Sequence, residues 1–426
     1  SLYIFNYICY YIQWWFILSL KKNDEIKLNI ESVTSEGSAL GRYNGLAVFV
    51  FGAVPGDVVE AHIIKVSKNY AVGIIKEIIE KSPFRIESDC PVSDKCGGCT
   101  FRSMTYEKEL QSKLDFVNGN MERIAKLPIR CEEIIGASDI LRYRNKAQYP
   151  VCIQGNGFCA GFYAYKSHRI VPAADCLLQP AEFKAGVEAF EKWALAANVS
   201  SFDEKSGRGL LRHIYFRKAF ATGEIMACAV INGSSVPEPQ MLVSFLQSAL
   251  PGLKSVVLNI NKNKTNVILG EKTKLLWGSE KITDMLLGKK FIISPQSFYQ
   301  VNHAQCEKLY SAAAELAGLS GSETVLDMYC GAGTVGISLS DKCKSLCGIE
   351  IVPQAVENAI ENARLNNLSN AEFICADAYE GAKILTQKGV RPDVVILDPP
   401  RKGCQREIFD IIAGLGVKKI VYISCN

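Results

Sequence analysis

From Glu323 to the last residue, short runs of Val, Ile and Leu alternate with helical patterns. Each run stops abruptly at polar or turn-forming residues: TVLDMYCGAG, SLCGIEIV, AEFICADA, PDVVILDPPRKG and KKIVYISCN. Apolar runs this short mark strands buried on both faces. Strands that alternate with helices build an open, largely parallel α/β sheet. Ligands of such sheets bind outside the carboxyl ends of the strands, so the polar residues ending each run are the candidate site.

Those ends carry a consistent chemistry. Asp327 to Gly333, DMYCGAG, turns a strand tightly into a helix on glycines, which lets a ligand approach the backbone. Roughly twenty residues on, where such sheets grip ribose hydroxyls, Glu350 ends the next strand, and Asp377 ends the third. A glycine turn alone is shared by dinucleotide sites and ordinary turns, but three spaced polar strand ends point to a nucleoside-bearing cofactor. Asp398 is followed by two prolines, which fix the backbone and remove two N–H donors, so its carboxylate is held rigidly beside a turn. The last strand delivers Ser424, Cys425 and Asn426. A carboxylate and a thiol at neighbouring strand ends suit covalent catalysis on a polar ring, although a free cysteine is more often a small buried hydrophobe.

Upstream, residues 1–20 contain no charge and are long enough to span a bilayer, yet they have neither the basic start nor the small-residue cleavage site of a signal peptide. Residues 1–23 are therefore read as an apolar extension outside the fold. From 24 to 82, short strands broken by glycines, with PGD as a tight turn, predict a small OB-like β-barrel. Cys90, Cys96 and Cys99 fall within ten residues, with glycines between them that let the backbone fold round an ion. A fourth ligand comes from Cys131, Cys152, Cys159, His168 or Cys176, and the residues alone leave zinc and iron-sulfur both open. The other cysteines are scattered singly, as in a protein of the reducing cytoplasm.

An amphipathic helix is predicted from Tyr106 to Lys126, with Leu110, Leu114, Val117, Met121 and Ile124 on one face. Charge then becomes uneven. Residues 141–300 hold 20 Lys and Arg against 11 Asp and Glu, while residues 21–140 and 301–426 are near neutral. Within that segment Arg142, Arg144, Lys146, Lys166, Arg169, Arg212, Arg217 and Lys218 lie on strand-like stretches among aromatics, a pattern that holds phosphates and stacks unpaired bases, or equally makes cross-strand pairs on a wet face.

Residues 24–426 resemble the RNA uracil-5-methyltransferases that carry a TRAM domain, a compact RNA-binding barrel. The resemblance rests on GSALGRYNGLAVFVFGAVPGDVVEA, the Cys-x5-Cys-Gly-Gly-Cys run with a later Asp-Cys, SFYQVN, DMYCGAG, DPPRKG and YISCN, in that order. It implies a multidomain α/β protein: the TRAM barrel at 24–82, a central α+β domain at 83–300, and a class I, Rossmann-like methyltransferase domain at 301–426. It further implies a 4Fe-4S cluster on Cys90, Cys96, Cys99 and Cys176, and S-adenosylmethionine held by Gln300, Tyr329, Gly331, Glu350, Asp377 and Asp398. Cys425 becomes the nucleophile and Asp398 the carboxylate that orients uracil, while Arg401 binds RNA phosphate or steadies its loop. An amino-group methyltransferase would place an aromatic residue where Arg401 stands.

The chemistry explains the thiol: C5 of uracil is too weak a nucleophile until a thiolate adds to C6 and makes an enolate. In the family the general base is a Glu beyond the SCNP motif, so the chain is expected to be truncated at its carboxyl end. The implied partner is structured 23S ribosomal RNA, for a cytoplasmic monomer with no membrane partner. Transfer RNA is the alternative substrate, and a non-catalytic iron-sulfur RNA-binding protein the alternative class.

Overall fold

The computed structural model of the chain describes residues 20–154 and 157–424, so most of the apolar extension, together with Cys425 and Asn426, lies outside the described residues. Five strands, β1 (Glu25–Val33), β2 (Ala39–Tyr43), β3 (Leu46–Phe51), β4 (Val58–Val66) and β5 (Tyr70–Glu80), close into a barrel in the order β1-β2-β3-β5-β4. Strict alternation sends Ile26, Leu28 and Ile30 inward beside Val48, Val50, Val59, Ala61 and Ile63. Asn44 and Gly45, at φ 48° and 84°, make the tight β2–β3 hairpin turn that only such residues allow cheaply. The barrel begins earlier than expected: Leu20 is buried in its core, and the Asn23 N–H donates to the Ile63 carbonyl at 2.7 Å.

Helix α1 (Tyr106–Arg123) follows, its start fixed by the Thr105 hydroxyl accepting from the Lys108 N–H. Its expected apolar stripe is not a core face. Val117 and Ile124 are exposed, and the one buried residue of the helix is Asn118, which holds the Cys131 backbone through both its amide atoms at 2.7 and 3.0 Å. Periodicity located the helix but not what would cover it.

The chain divides into two compact units, one ending at Gly136 and taking in Tyr163–Arg169, the other comprising Ala137–Phe162 and the chain from Ile170. In the second, β6 (Lys146–Gln154), β7 (Gly157–Tyr163), β8 (Ile170–Pro172), β9 (Leu211–Lys218), β10 (Ile225–Ile231), β11 (Leu253–Ile260) and β12 (Lys272–Gly278) form a sheet of order β12-β11-β10-β9-β6-β7-β8. Helices α2 (Glu182–Ala196) and α3 (Pro239–Ala249) bury Phe183, Phe190, Trp193 and Leu246 against one face. A hairpin, β13 (Ile282–Leu286) and β14 (Lys289–Ile293), leads into α4 (His303–Ala317).

The predicted parallel sheet then follows: β15 (Thr324–Met328), α5 (Thr334–Leu339), β16 (Ser345–Glu350), α6 (Pro353–Leu365), β17 (Ala371–Cys375), α7 (Ala378–Gln387), β18 (Val394–Leu397), α8 (Arg406–Gly414) and β19 (Lys419–Tyr422). Its order is β17-β16-β15-β18-β19, every pair parallel, so the winding reverses between β15 and β18 and opens a crevice at their carboxyl ends. Tyr215, Met226 and Val257 of the seven-stranded sheet share one core with Tyr310, Val325 and Ile396. A division of the chain at 300/301 therefore falls inside a common core. Among the described residues no helix is long and apolar enough to cross a membrane.

Candidate active site

The glycine turn after β15 is built for close approach. Tyr329, Gly331 and Gly333 all take left-handed backbone, at φ 67°, 54° and 78°, and a side chain added at Gly331 would meet nothing within 4 Å. Glu350, at the end of β16, fastens this turn: its carboxylate accepts from the Gly331 N–H at 3.1 Å and from the Val352 N–H at 2.8 Å. Asp377 caps α7 by accepting from Tyr379 and Glu380 N–H at 2.9 and 3.0 Å, so this expected cofactor residue is also a helix N-cap. The Tyr329 phenol is pushed up to about 12 by burial, with Cys404 and Tyr422 beside it.

Two carboxylates in this crevice lack counter-charges among the described residues. Asp327 is fully buried; one oxygen accepts from the Gly336 N–H at 2.9 Å and the other has no partner. Burial, then the charges of Asp398 and Glu350, push its carboxyl up to about 7. Asp398, half-buried beyond β18, accepts no hydrogen bond from the described residues, and burial raises it above the usual carboxylate range. The Ile423 N–H donates to the Leu397 carbonyl at 2.7 Å, which extends the β18–β19 register to the doorstep of Asp398. Cys425 itself lies outside the described residues, and Arg401 is exposed.

Gln300 is held by its backbone. Asn145, 4% exposed, donates its amide to the Gln300 carbonyl at 2.7 Å and its own N–H to the Val301 carbonyl at 2.9 Å. On either side lies a buried network that sequence reasoning missed. Asp284, fully buried on β13, accepts from the Tyr299 hydroxyl at 3.3 Å and from the Ala221 and Phe220 N–H groups at 2.9 and 3.2 Å, and faces His303 Nδ1 at 3.3 Å. Burial opposes its charge, yet His303 and these donors hold Asp284 low, and Asp284 in turn raises His303. A lone Asp inside the apolar run ITDML was the available signal.

The basic residues of the middle segment separate into two groups. Arg212 donates to the Asn261 and Asn263 carbonyls at 2.8 and 2.9 Å, Arg142 pairs with Asp175 at 2.8 Å, and Lys218 pairs with Glu182 at 2.5 Å. Lys166 lies over the rings of Phe51 and Tyr165 in the first unit, where Arg169 is also found. Arg144, Lys146 and Arg217 have no carboxylate partner among the described residues.

Cys90, Cys96 and Cys99 share one loop of the first unit, where the Gly98 N–H donates to Cys96 Sγ at 3.4 Å and a Cβ at Gly97 would come within 2.8 Å of Tyr165 N. Cys176 belongs to the second unit, its carbonyl accepting from Arg142 at 3.0 Å. The donor chemistry suits a metal cluster, but among the described residues no three His, Cys, Asp or Glu side chains are gathered to hold a metal ion. By contrast, the open Gly331 backbone, the Glu350 clamp and the orphaned Asp327 oxygen fit a nucleoside-bearing cofactor.

Comparison with known proteins bears on these features. A family profile described as tRNA (Uracil-5-)-methyltransferase matches residues 258–426, and one for the TRAM domain matches residues 20–76. An uncharacterized RNA methyltransferase of Halalkalibacterium halodurans is 41% identical over 96% of this chain and 89% of its own. One of Caldanaerobacter subterraneus is 42% identical over 96% and 90%. The crystal structure of the Pyrococcus abyssi tRNA (uracil-54, C5)-methyltransferase with S-adenosyl-L-homocysteine superposes with a TM-score of 0.74, at 25% identity, over 94% of this chain and 90% of that one. With the barrel in front and strand-end carboxylates around an open glycine turn behind, the chain belongs to the RNA (uracil-5-)-methyltransferase family.

Proposed function

We propose that the chain methylates C5 of a uridine in 23S ribosomal RNA through a covalent adduct on Cys425, giving 5-methyluridine. The observation that carries this reading is the strand register that brings the end of β19 against Asp398, a carboxylate with no partner among the described residues. Cys425, as thiolate, forms a bond from Sγ to C6 and moves the C5–C6 electron pair to C5 as an enolate. S-adenosylmethionine supplies the methyl group to C5 and leaves as S-adenosylhomocysteine. A general base takes the C5 proton; the freed electron pair restores the C5–C6 double bond and expels the thiolate. Asp398 orients the ring throughout. Tyr329, Gly331, Glu350, Asp377 and the backbone-tethered Gln300 hold the cofactor, Asp398 closing its edge.

The target base must leave its stack to reach a sheet edge, which favours a loop of structured RNA. We also assign a 4Fe-4S cluster to Cys90, Cys96, Cys99 and Cys176 in a structural role, since methyl transfer involves no net oxidation or reduction, and we place the enzyme in the cytoplasm as a monomer. Transfer RNA is the second reading, supported by the substrate of the Pyrococcus abyssi protein. The deciding experiment incubates the chain with labelled S-adenosylmethionine and unmodified ribosomal or transfer RNA, then digests each to nucleosides. Label in 5-methyluridine from ribosomal RNA is expected; label from transfer RNA alone transfers the substrate, and label in neither leaves an RNA-binding protein.

A further inference from the structure

Three cations that have no carboxylate partner among the described residues lie in one place. Lys146 on β6 and Arg217 on β9 are directly paired across antiparallel strands, so their side chains share a face, and Arg144, two residues before Lys146, extends along it. Arg217 is 5% exposed; its guanidinium donates to the Tyr215 hydroxyl and to the Ser297 carbonyl. Arg144 forms a backbone bridge with Asn302. Arg217 and Arg144 therefore border residues 297–302, the segment that carries Gln300, and Lys146 is paired with Arg217 on the same face.

This arrangement opposes stability. Like charges directly opposite on a sheet repel, and a half-buried cation without an anion loses hydration that nothing replaces. Burial, then Arg217, then Arg144, push the Lys146 ammonium down to about 8, with no carboxylate acting against them. Close by in the chain, Lys218 on β9 and Arg142, ahead of β6, each have an acid within 3 Å, at 2.5 and 2.8 Å, so the fold supplies partners where charge is only structural.

We propose that Arg144, Lys146 and Arg217 form a seat for one backbone phosphate of the RNA strand beside the target uridine, fixing how far the flipped base enters the crevice. This rests on the RNA-uridine reading of the site. A phosphate brings the missing negative charge, and an Arg fork with a Lys point charge suits its oxygens. The carboxylate of the methyl donor's amino-acid end has the same chemistry and is the competing source.

The test compares wild type with Lys146→Met and Lys146→Arg, measuring RNA affinity across a salt series, S-adenosylmethionine affinity by calorimetry without RNA, and melting temperature. Lys146→Met should weaken RNA about tenfold and reduce the slope of log affinity against log salt by about 0.7, the share of one cation on a single strand. Cofactor affinity should not change, melting temperature should hold or rise as repulsion is relieved, and Lys146→Arg should restore the slope. An unchanged slope overturns the seat, as does a weakened cofactor affinity with an unchanged slope, which assigns the cations to the methyl donor. If the slope falls while wild type methylates no RNA, the uridine reading fails and the phosphate seat stands. If the slope is unchanged while methylation is normal, the reverse holds.

Discussion

The barrel and the parallel sheet treat a buried carboxylate in opposite ways. Asp57 follows Gly56 in the barrel's PGD turn, has no exposed side chain, and is surrounded by donors: Val54 and Ser82 N–H at 2.7 and 2.9 Å, and the Arg85 fork at 3.0 and 2.6 Å. Burial alone would raise its carboxyl, but Arg85 and these N–H groups hold it below the usual range. Among the described residues Asp327 and Asp398 have no cation and between them a single N–H, and both are raised. A carboxylate that only braces a turn is fully satisfied by its own fold. One left incomplete retains its hydrogen-bonding capacity for a ligand.

The largest effect expected from this contrast is on the barrel. Asp57→Asn or Arg85→Ala leaves one partner of a buried pair uncompensated and should cost about 3–5 kcal/mol of unfolding free energy, read by denaturant titration. Because Asp57 is held below 3.8 in the fold, its contribution is present above that value and lost as pH falls through the folded one. A loss under about 1 kcal/mol would break the comparison.

Next is Asp398→Asn, which should lower kcat/KM for RNA methylation by about 10²–10³, or about 3–4 kcal/mol, without lowering the melting temperature. A variant that unfolds easily instead would make Asp398 a brace like Asp57.

Asp327 sharpens the contrast through its pH dependence. Its folded value of about 7 lies above the ordinary 3.8, so the stability it contributes is complete below 3.8 and is lost as pH rises toward 7. Asp327→Asn cannot ionise, so its melting temperature relative to wild type should climb between pH 5 and pH 8, by an amount corresponding to on the order of 2 kcal/mol. A difference that does not change with pH would show the carboxyl ionised throughout. The smallest effect is on the cofactor turn. Glu350→Gln leaves one amide oxygen for two N–H donors, and S-adenosylhomocysteine binding should weaken about tenfold by calorimetry, the loss of one charge-assisted hydrogen bond of about 1.5 kcal/mol.

Residues at strand ends were legible because a short apolar run both predicts a buried strand and marks its terminus; Glu350, Asp377 and Asp398 stand where that logic placed them. The barrel was legible from alternation and from turns such as Asn44-Gly45. What stayed hidden joins distant parts of the chain. Asp284 meets Ala221 and Phe220 some sixty residues earlier, and no local pattern encodes that meeting. The stripe on α1 had correct spacing, but spacing does not specify a covering surface, and Val117 and Ile124 remained exposed. The basic segment read as uniform because sequence displays cations without their partners, and only the fold separates Arg142, Arg212 and Lys218 from Arg144, Lys146 and Arg217.

The most direct test of the unsatisfied crevice as a covalent catalyst replaces target uridines with 5-fluorouridine and supplies S-adenosylmethionine with a labelled methyl group. Fluorine leaves no C5 proton to remove, so the adduct on Cys425 cannot resolve and the outcome does not depend on the general base. The expected result is a protein–RNA complex that survives denaturing electrophoresis, carries the methyl label, and disappears with Cys425→Ala. Absence of any such complex from a preparation that still binds both S-adenosylhomocysteine and RNA would contradict it.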